Sequence, residues 1–308
     1  NDTRQRATVR AVFLYPPSST FADNPNGWWS WPGTEYDAEG HRARYVSELH
    51  KIEKELGITL AIDETPIANA DDAQRVASEI AAEKPDGVLL VMFYNNSLPH
   101  ADLLLKAAEQ TGIPAIFYIG LGVKHGAITP YQRPGVYFIQ SLDNFDAIAS
   151  GLRMVNTKKV LSQSRLLSVC DVNEITEKQE PFLGITIRTI PFDLYAEKFQ
   201  TVEMDTEARA LIRDFTRHAK DVRVTQEALE NAARAHITLA RMLAENEAHG
   251  VTMKCLRAGM LKPCVCFSML NGQLIPAACE NDLNAAYGLV FTASHNPPEY
   301  SGYKIKGS

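Results

Sequence analysis

The feature that most constrains this chain is an alternation in its first half, where short, wholly apolar runs are separated by amphipathic stretches. Val9 to Tyr15, Ile58 to Ile62, Gly87 to Phe93 and Ile113 to Ile119 read as buried strands. Between them, His41 to Leu56, Asp71 to Glu83 (opened by an Asp cap) and Pro99 to Thr111 carry helical periodicity. A strand without polar alternation must be covered on both faces. In a strand–helix–strand series that requires a parallel sheet between helices, with right-handed crossovers. Gln132 to Asp143 reads as a connection with a short strand, Val136 to Gln140, followed by a helix from Phe145 to Asn156. A second unit begins near Lys158, with strands at Leu166 to Val169, Ile185 to Pro191 and Cys264 to Leu270. Its helices are Thr206 to Ala219 and Thr225 to Glu247. The expected fold class is α/β, with two successive αβα layers and mainly parallel sheets. The expected division is a first domain over 1–156, a second over 157–289 and a tail over 290–308.

Bulk properties narrow the function. At 308 residues and 45% hydrophobic, the chain can bury two ordinary cores. A formal net charge of −6, with no basic cluster, argues against a nucleic-acid surface. No apolar run approaches the roughly 18 residues of a membrane span. The five cysteines, Cys170, Cys255, Cys264, Cys266 and Cys279, form no CxxC pair, which points to a reduced, cytoplasmic setting rather than a disulfide framework. Residue 1 is Asn, which leaves room for a removed export signal. Neither GxGxxG nor a Walker loop occurs, so a nucleotide cofactor is not expected.

Parallel sheets present ligand groups at the carboxyl ends of their strands. Two such places stand out, Tyr94-Asn95-Asn96-Ser97 and Gly120 to Gly126, of which Asn95 and Asn96 are candidate substrate-binding residues. Ordinary polar turns explain them equally well. All three tryptophans, Trp28, Trp29 and Trp31, share one loop, where an indole such as Trp29 offers a face to a sugar or simply anchors the loop. His50 and the run Glu53-Lys54-Glu55 read as surface.

The segment Lys262 to Ala286 reads KPCVCFSMLNGQLIPAACENDLNAA, a strand and turn leading to Glu280, Asn281 and Asp282 before a helix-forming stretch. An Asn or Asp there suits a helix cap. The string ACENDLNAA also resembles the L-fucose and L-arabinose isomerase superfamily, in which such a triplet precedes a small-residue helix. The likeness spans about Asp221 to Tyr287. It implies an aldose–ketose isomerase acting on a small-molecule sugar and assembling as a homo-oligomer. It also implies that Asp282 is both a catalytic residue and a ligand of a divalent metal, usually Mn²⁺, with Glu280 beside the substrate. The metal would polarise the carbonyl while a carboxylate moves the proton through an enediol. The chain departs from that pattern in two ways. Val251 to Leu261 carries no Asp or Glu, and the family's distant His ligand, from a third domain, has no counterpart in context. The expectation is therefore an isomerase-like protein lacking its last domain, with a non-catalytic sugar-binding module as the alternative.

Gly288 to Gly307, GLVFTASHNPPEYSGYKIKG, resembles instead the phosphoserine loop of the α-D-phosphohexomutases. That resemblance implies a phosphoryl group on Ser294, assistance from His295, and Lys304 as acid or base. The family's DGDxDR-type metal loop and GEMSG-type sugar loop do not occur.

Overall fold

The computed structural model describes residues 4–23, 33–120, 129–217, 219–283 and 285–286. The chain forms two compact units, Asn1–Val160 and Leu161–Ser308. The α/β class and the αβα layering expected from the sequence are what the structure shows.

In the first unit, β1 (Thr8–Leu14), β2 (Thr59–Ile62), β3 (Gly87–Met92), β4 (Ala115–Ile119) and β5 (Val136–Gln140) pair in parallel, in the order β2-β1-β3-β4-β5. β3 and β4 are buried along their whole length, which is why they read as unbroken apolar runs. On one face Val9, Ala11 and Phe13 of β1 pack with Tyr45 and Leu49 of α2 (Ala38–Leu56) and Ile148 and Leu152 of α5 (Phe145–Ser162). A short helix, α1 (Ser18–Ala22), adds Phe21 to this cluster. On the other face Val12 and Leu14 meet Val76 and Ile80 of α3 (Ala70–Glu83) and Leu104 and Leu105 of α4 (Leu98–Gln110). Each such side chain contributes about 1.5–3 kcal/mol of burial. α3 is capped not by an Asp but by Asn69, two residues before the expected start at Asp71; its side chain accepts from the Asp72 N–H at 2.9 Å. Glu53 is not the solvated residue expected; it accepts from the Leu60 N–H at 2.8 Å and ties α2 to β2.

The second unit holds β6 (Arg165–Cys170), β7 (Thr176–Gln179), β8 (Thr186–Pro191), β9 (Gly250–Met253) and β10 (Ala277–Cys279), ordered β10-β9-β6-β8-β7. All its pairs are parallel except the exposed edge strand β7, antiparallel to β8. Its larger core joins Leu167, Val169, Val251 and Met253 to helices α6 (Phe192–Gln200), α8 (Gln226–Glu245) and α9 (Cys264–Gly272); α7 (Thr206–Thr216) lies before α8 in the chain. The expected strand from Cys264 to Leu270 is a correction, since these residues form α9. A short apolar run is ambiguous between strand and helix. Here Cys266, Phe267 and Leu270 are buried together, a spacing that suits one helical stripe.

Candidate functional site

In the second unit the chain leaves β6 for β8 on one side and later returns to β9 on the other. The carboxyl ends of β6 and β9 are therefore the place where strand order reverses, where open α/β sheets place their ligands. Cys170 ends β6 and Asp171 follows it; Lys254 and Cys255 follow β9. Lys254 Nζ reaches Asp171 Oδ2 at 2.9 Å, but the two side chains are 44% and 43% exposed, so this pair contributes little stability.

Over these strand ends lies the turn that follows β10. Glu280 and Asn281 both adopt left-handed backbone, with φ of 60° and 56°. Such a conformation costs an L-residue roughly 1–2 kcal/mol, less for Asn than for Glu. Three hydrogen bonds hold it. The Asn281 N–H donates to Met253 O at 3.1 Å, the last residue of β9. The buried Ser168 hydroxyl, on β6, donates to Asn281 Oδ1 at 2.7 Å. The Asp282 N–H closes the turn on Cys279 O at 3.1 Å. Asn281 thus joins β6 and β9 where they part.

The turn leaves Glu280 and Asp282 exposed on either side of Asn281. Glu280 Oε1 accepts from the Cys255 thiol at 3.2 Å. Burial, above all, pushes that thiol up to about 11, so it stays protonated and acts as a donor near neutral pH. Asp282 Oδ1 accepts from the Ala285 N–H at 2.9 Å, so this residue does cap a helical turn. Its other oxygen has no hydrogen-bond or ion-pair partner among the described residues. No three His, Cys, Asp or Glu side chains among the described residues converge as a cation would need. Among the described residues, the Mn²⁺ centre that the isomerase resemblance implies is not assembled. The chemistry they offer is acceptance of hydrogen bonds and exchange of protons by carboxylates.

Asn95 and Asn96 belong to the first unit, in a single 3₁₀ turn after β3. Asn96 Nδ2 donates to Tyr94 Oη at 2.8 Å, so its amide is partly engaged. Asn95 and Asn96 therefore do not belong to the same unit as Glu280 and Asp282. Trp29, Ser294, His295 and Lys304 lie outside the described residues, as does most of Gly120 to Gly126. Sequence reasoning missed Asn281, Ser168 and Cys255 as parts of the site. The only local signal was the adjacency of Asn281 to two acids.

A family model for the α/β/α domain I of phosphoglucomutases and phosphomannomutases matches residues 261–308. This supports the phosphohexomutase-like reading of the tail and extends it backwards, over α9, β10 and the Glu280–Asp282 turn. The match does not reach the body of the chain before residue 261. No curated protein matches the chain. No helix among the described residues is long and apolar enough to cross a membrane.

Proposed function

We propose that this chain is a sugar-handling protein of the aldose–ketose isomerase type, binding its sugar at the carboxyl edge of the second sheet. One observation carries the reading. The turn after β10 has two consecutive left-handed residues, Glu280 and Asn281, and carries two exposed carboxylates, Glu280 and Asp282, on either side of the Asn281 anchored to β6 and β9. Sugar hydroxyls donate to Glu280 and to the free oxygen of Asp282. In this reading Asp282 accepts the proton from carbon of the opened sugar, with Glu280 holding an adjacent hydroxyl. The described residues of this chain provide carboxylates for sugar hydroxyls and no third ligand for an ion.

Titration calorimetry with pentoses and hexoses, with and without Mn²⁺, tests this reading together with analysis for ketose product. Binding accompanied by ketose formation supports the isomerase type. Metal-independent binding without product supports the alternative, a non-catalytic sugar-binding module. A panel without any binding contradicts both.

A second reading is favoured by the match over residues 261–308, namely a phosphohexomutase-like segment with phosphoserine at Ser294, assisted by His295 and Lys304. Intact-mass analysis after incubation with glucose 1,6-bisphosphate decides it. One added phosphoryl group located on Ser294 supports it, and an unchanged mass ends it.

A further inference from the structure

Three cysteines sit at the carboxyl edge of the second sheet: Cys170 ends β6, Cys255 follows β9 and Cys279 ends β10. Two of them meet. β10 runs parallel to β9 with Cys279 opposite Met253, so Cys255 lies just past the paired position. The chain bends there, with Lys254 at φ −75° and ψ 73° and Cys255 opening a 3₁₀ turn. The bond from the Asn281 N–H to Met253 O, at 3.1 Å, holds the two strand ends together. The Cys255 and Cys279 side chains are in hydrogen-bond contact as a result. A bridge between neighbouring strands suits the spacing of the sheet itself.

The surroundings of the two thiols differ. Cys279 is exposed, whereas Cys255 is buried. Cys255 Sγ donates to Glu280 Oε1 at 3.2 Å and accepts from the Glu280 N–H. Burial, the largest influence, holds the Cys255 thiol up at about 11, and that N–H favours the thiolate. An exposed thiol therefore touches a buried one that already has a carboxylate to take its proton and an N–H to steady its charge. Those are the requirements of an attacking and a resolving cysteine. Cys266, by comparison, is wholly buried and pushed up to about 12 by that burial, which makes it inert.

We propose that Cys255 and Cys279 are a redox pair that closes to a reversible disulfide, with Cys279 the attacking thiol, Cys255 the resolving one and Glu280 the acceptor of its proton. The oxidant is a low-molecular-weight disulfide. Cys279 releases its proton to water and attacks one sulfur of that disulfide. The small S–S bond breaks, and the first small thiolate leaves and takes up a proton. Cys255 passes its proton to Glu280 Oε1 and attacks Cys279 Sγ, expelling the second small thiolate, which is protonated in turn. Two protein thiols are oxidised and one small disulfide is reduced to two thiols. Closure ties the exit of β9 to β10 and withdraws the thiol donor from Glu280. The pairing is independent of what the site binds; only its effect on a sugar at Glu280 rests on the proposed function.

The test incubates the whole folded chain in glutathione buffers of graded GSH to GSSG ratio, quenches with an alkylating agent and maps disulfides by peptide mass. Wild type is compared with Cys279→Ser, Cys255→Ser, Cys264→Ser and Glu280→Gln. The expected result is a Cys255–Cys279 bridge that appears as GSSG rises, disappears when GSH is restored, and persists in Cys264→Ser. Cys255→Ser should stop at a glutathione adduct on Cys279, and Cys279→Ser should leave Cys255 unmodified. Closure in Glu280→Gln should be slower by about tenfold or more. Cys279 is exposed, so its replacement keeps the test decisive if Cys255→Ser fails to fold. An adduct on Cys279 that never closes, a bridge to another cysteine, or no oxidation in GSSG alone overturns the pair. Equal closure rates in wild type and Glu280→Gln overturn the assignment of Glu280. None of these readouts involves a sugar, so failure here leaves the proposed function standing, and a chain that binds no sugar leaves the redox pair standing.

Discussion

Asn281 meets two demands at once, since it tolerates left-handed backbone and its side-chain oxygen accepts from Ser168, a residue 113 positions earlier. Asn281→Ala removes the acceptor and keeps the strained conformation, so a loss of about 1–3 kcal/mol is expected in urea unfolding. Asn281→Gly relieves the strain and loses less. Arg10 is a second residue with consequences at a distance. Its guanidinium reaches Asp63 at 2.9 Å and Glu79 at 2.5 Å while its side chain is only 9% exposed. Burial alone would lower its pKa, but hydrogen bonds to Asp63 and Glu79 outweigh that and keep it charged. Arg10→Met leaves a half-buried Asp63 without its cation and is expected to cost about 3 kcal/mol by the same assay. The sequence allowed Asn281 or Asp282 to be read as a cap, and Asp282 is one. The partnership of Asn281 with Ser168 was not legible, because it depends on which strands become neighbours.

At the scale of elements, the first unit was legible almost strand by strand, because its central strands are buried on both faces and are separated by amphipathic helices. The second unit was less so. β9 and β10 span only Gly250–Met253 and Ala277–Cys279, too short for a pattern to show, and β7 is exposed throughout. The apolar run that becomes α9 gave no period that separates helix from strand. Gly250 tests the β9–β10 pairing directly. A Cβ there would lie 2.9 Å from the Pro276 carbonyl oxygen, a backbone atom with little freedom to retreat. Gly250→Ala is therefore expected to destabilise the second unit by about 1–3 kcal/mol. Hydrogen exchange should show the loss in β9 and β10 and leave β1, β3 and β4 unaffected.

For the whole molecule, each unit has its own core and its own half-buried or buried histidine. Burial, first of all, lowers the pKa of His41 in the first unit and of His236 in the second. A depressed histidine means that the unfolded chain takes up the proton first. The stability contribution is complete above the ordinary value near 6.5 and is lost as pH falls below it, toward the folded values. Thermal unfolding followed from pH 7.5 to 5 should show this decline, and His41→Phe with His236→Leu should flatten it. The central claim concerns the turn over β6 and β9, and Asp282→Asn isolates it, because an amide oxygen can still cap the Ala285 N–H while the carboxylate charge is lost. The direct measurement is calorimetric titration of wild type and Asp282→Asn with L-fucose and L-arabinose, with and without Mn²⁺, beside their unfolding curves. The account predicts sugar binding to wild type, weakened about tenfold or more in the variant at unchanged stability. Equal binding by both chains would contradict it.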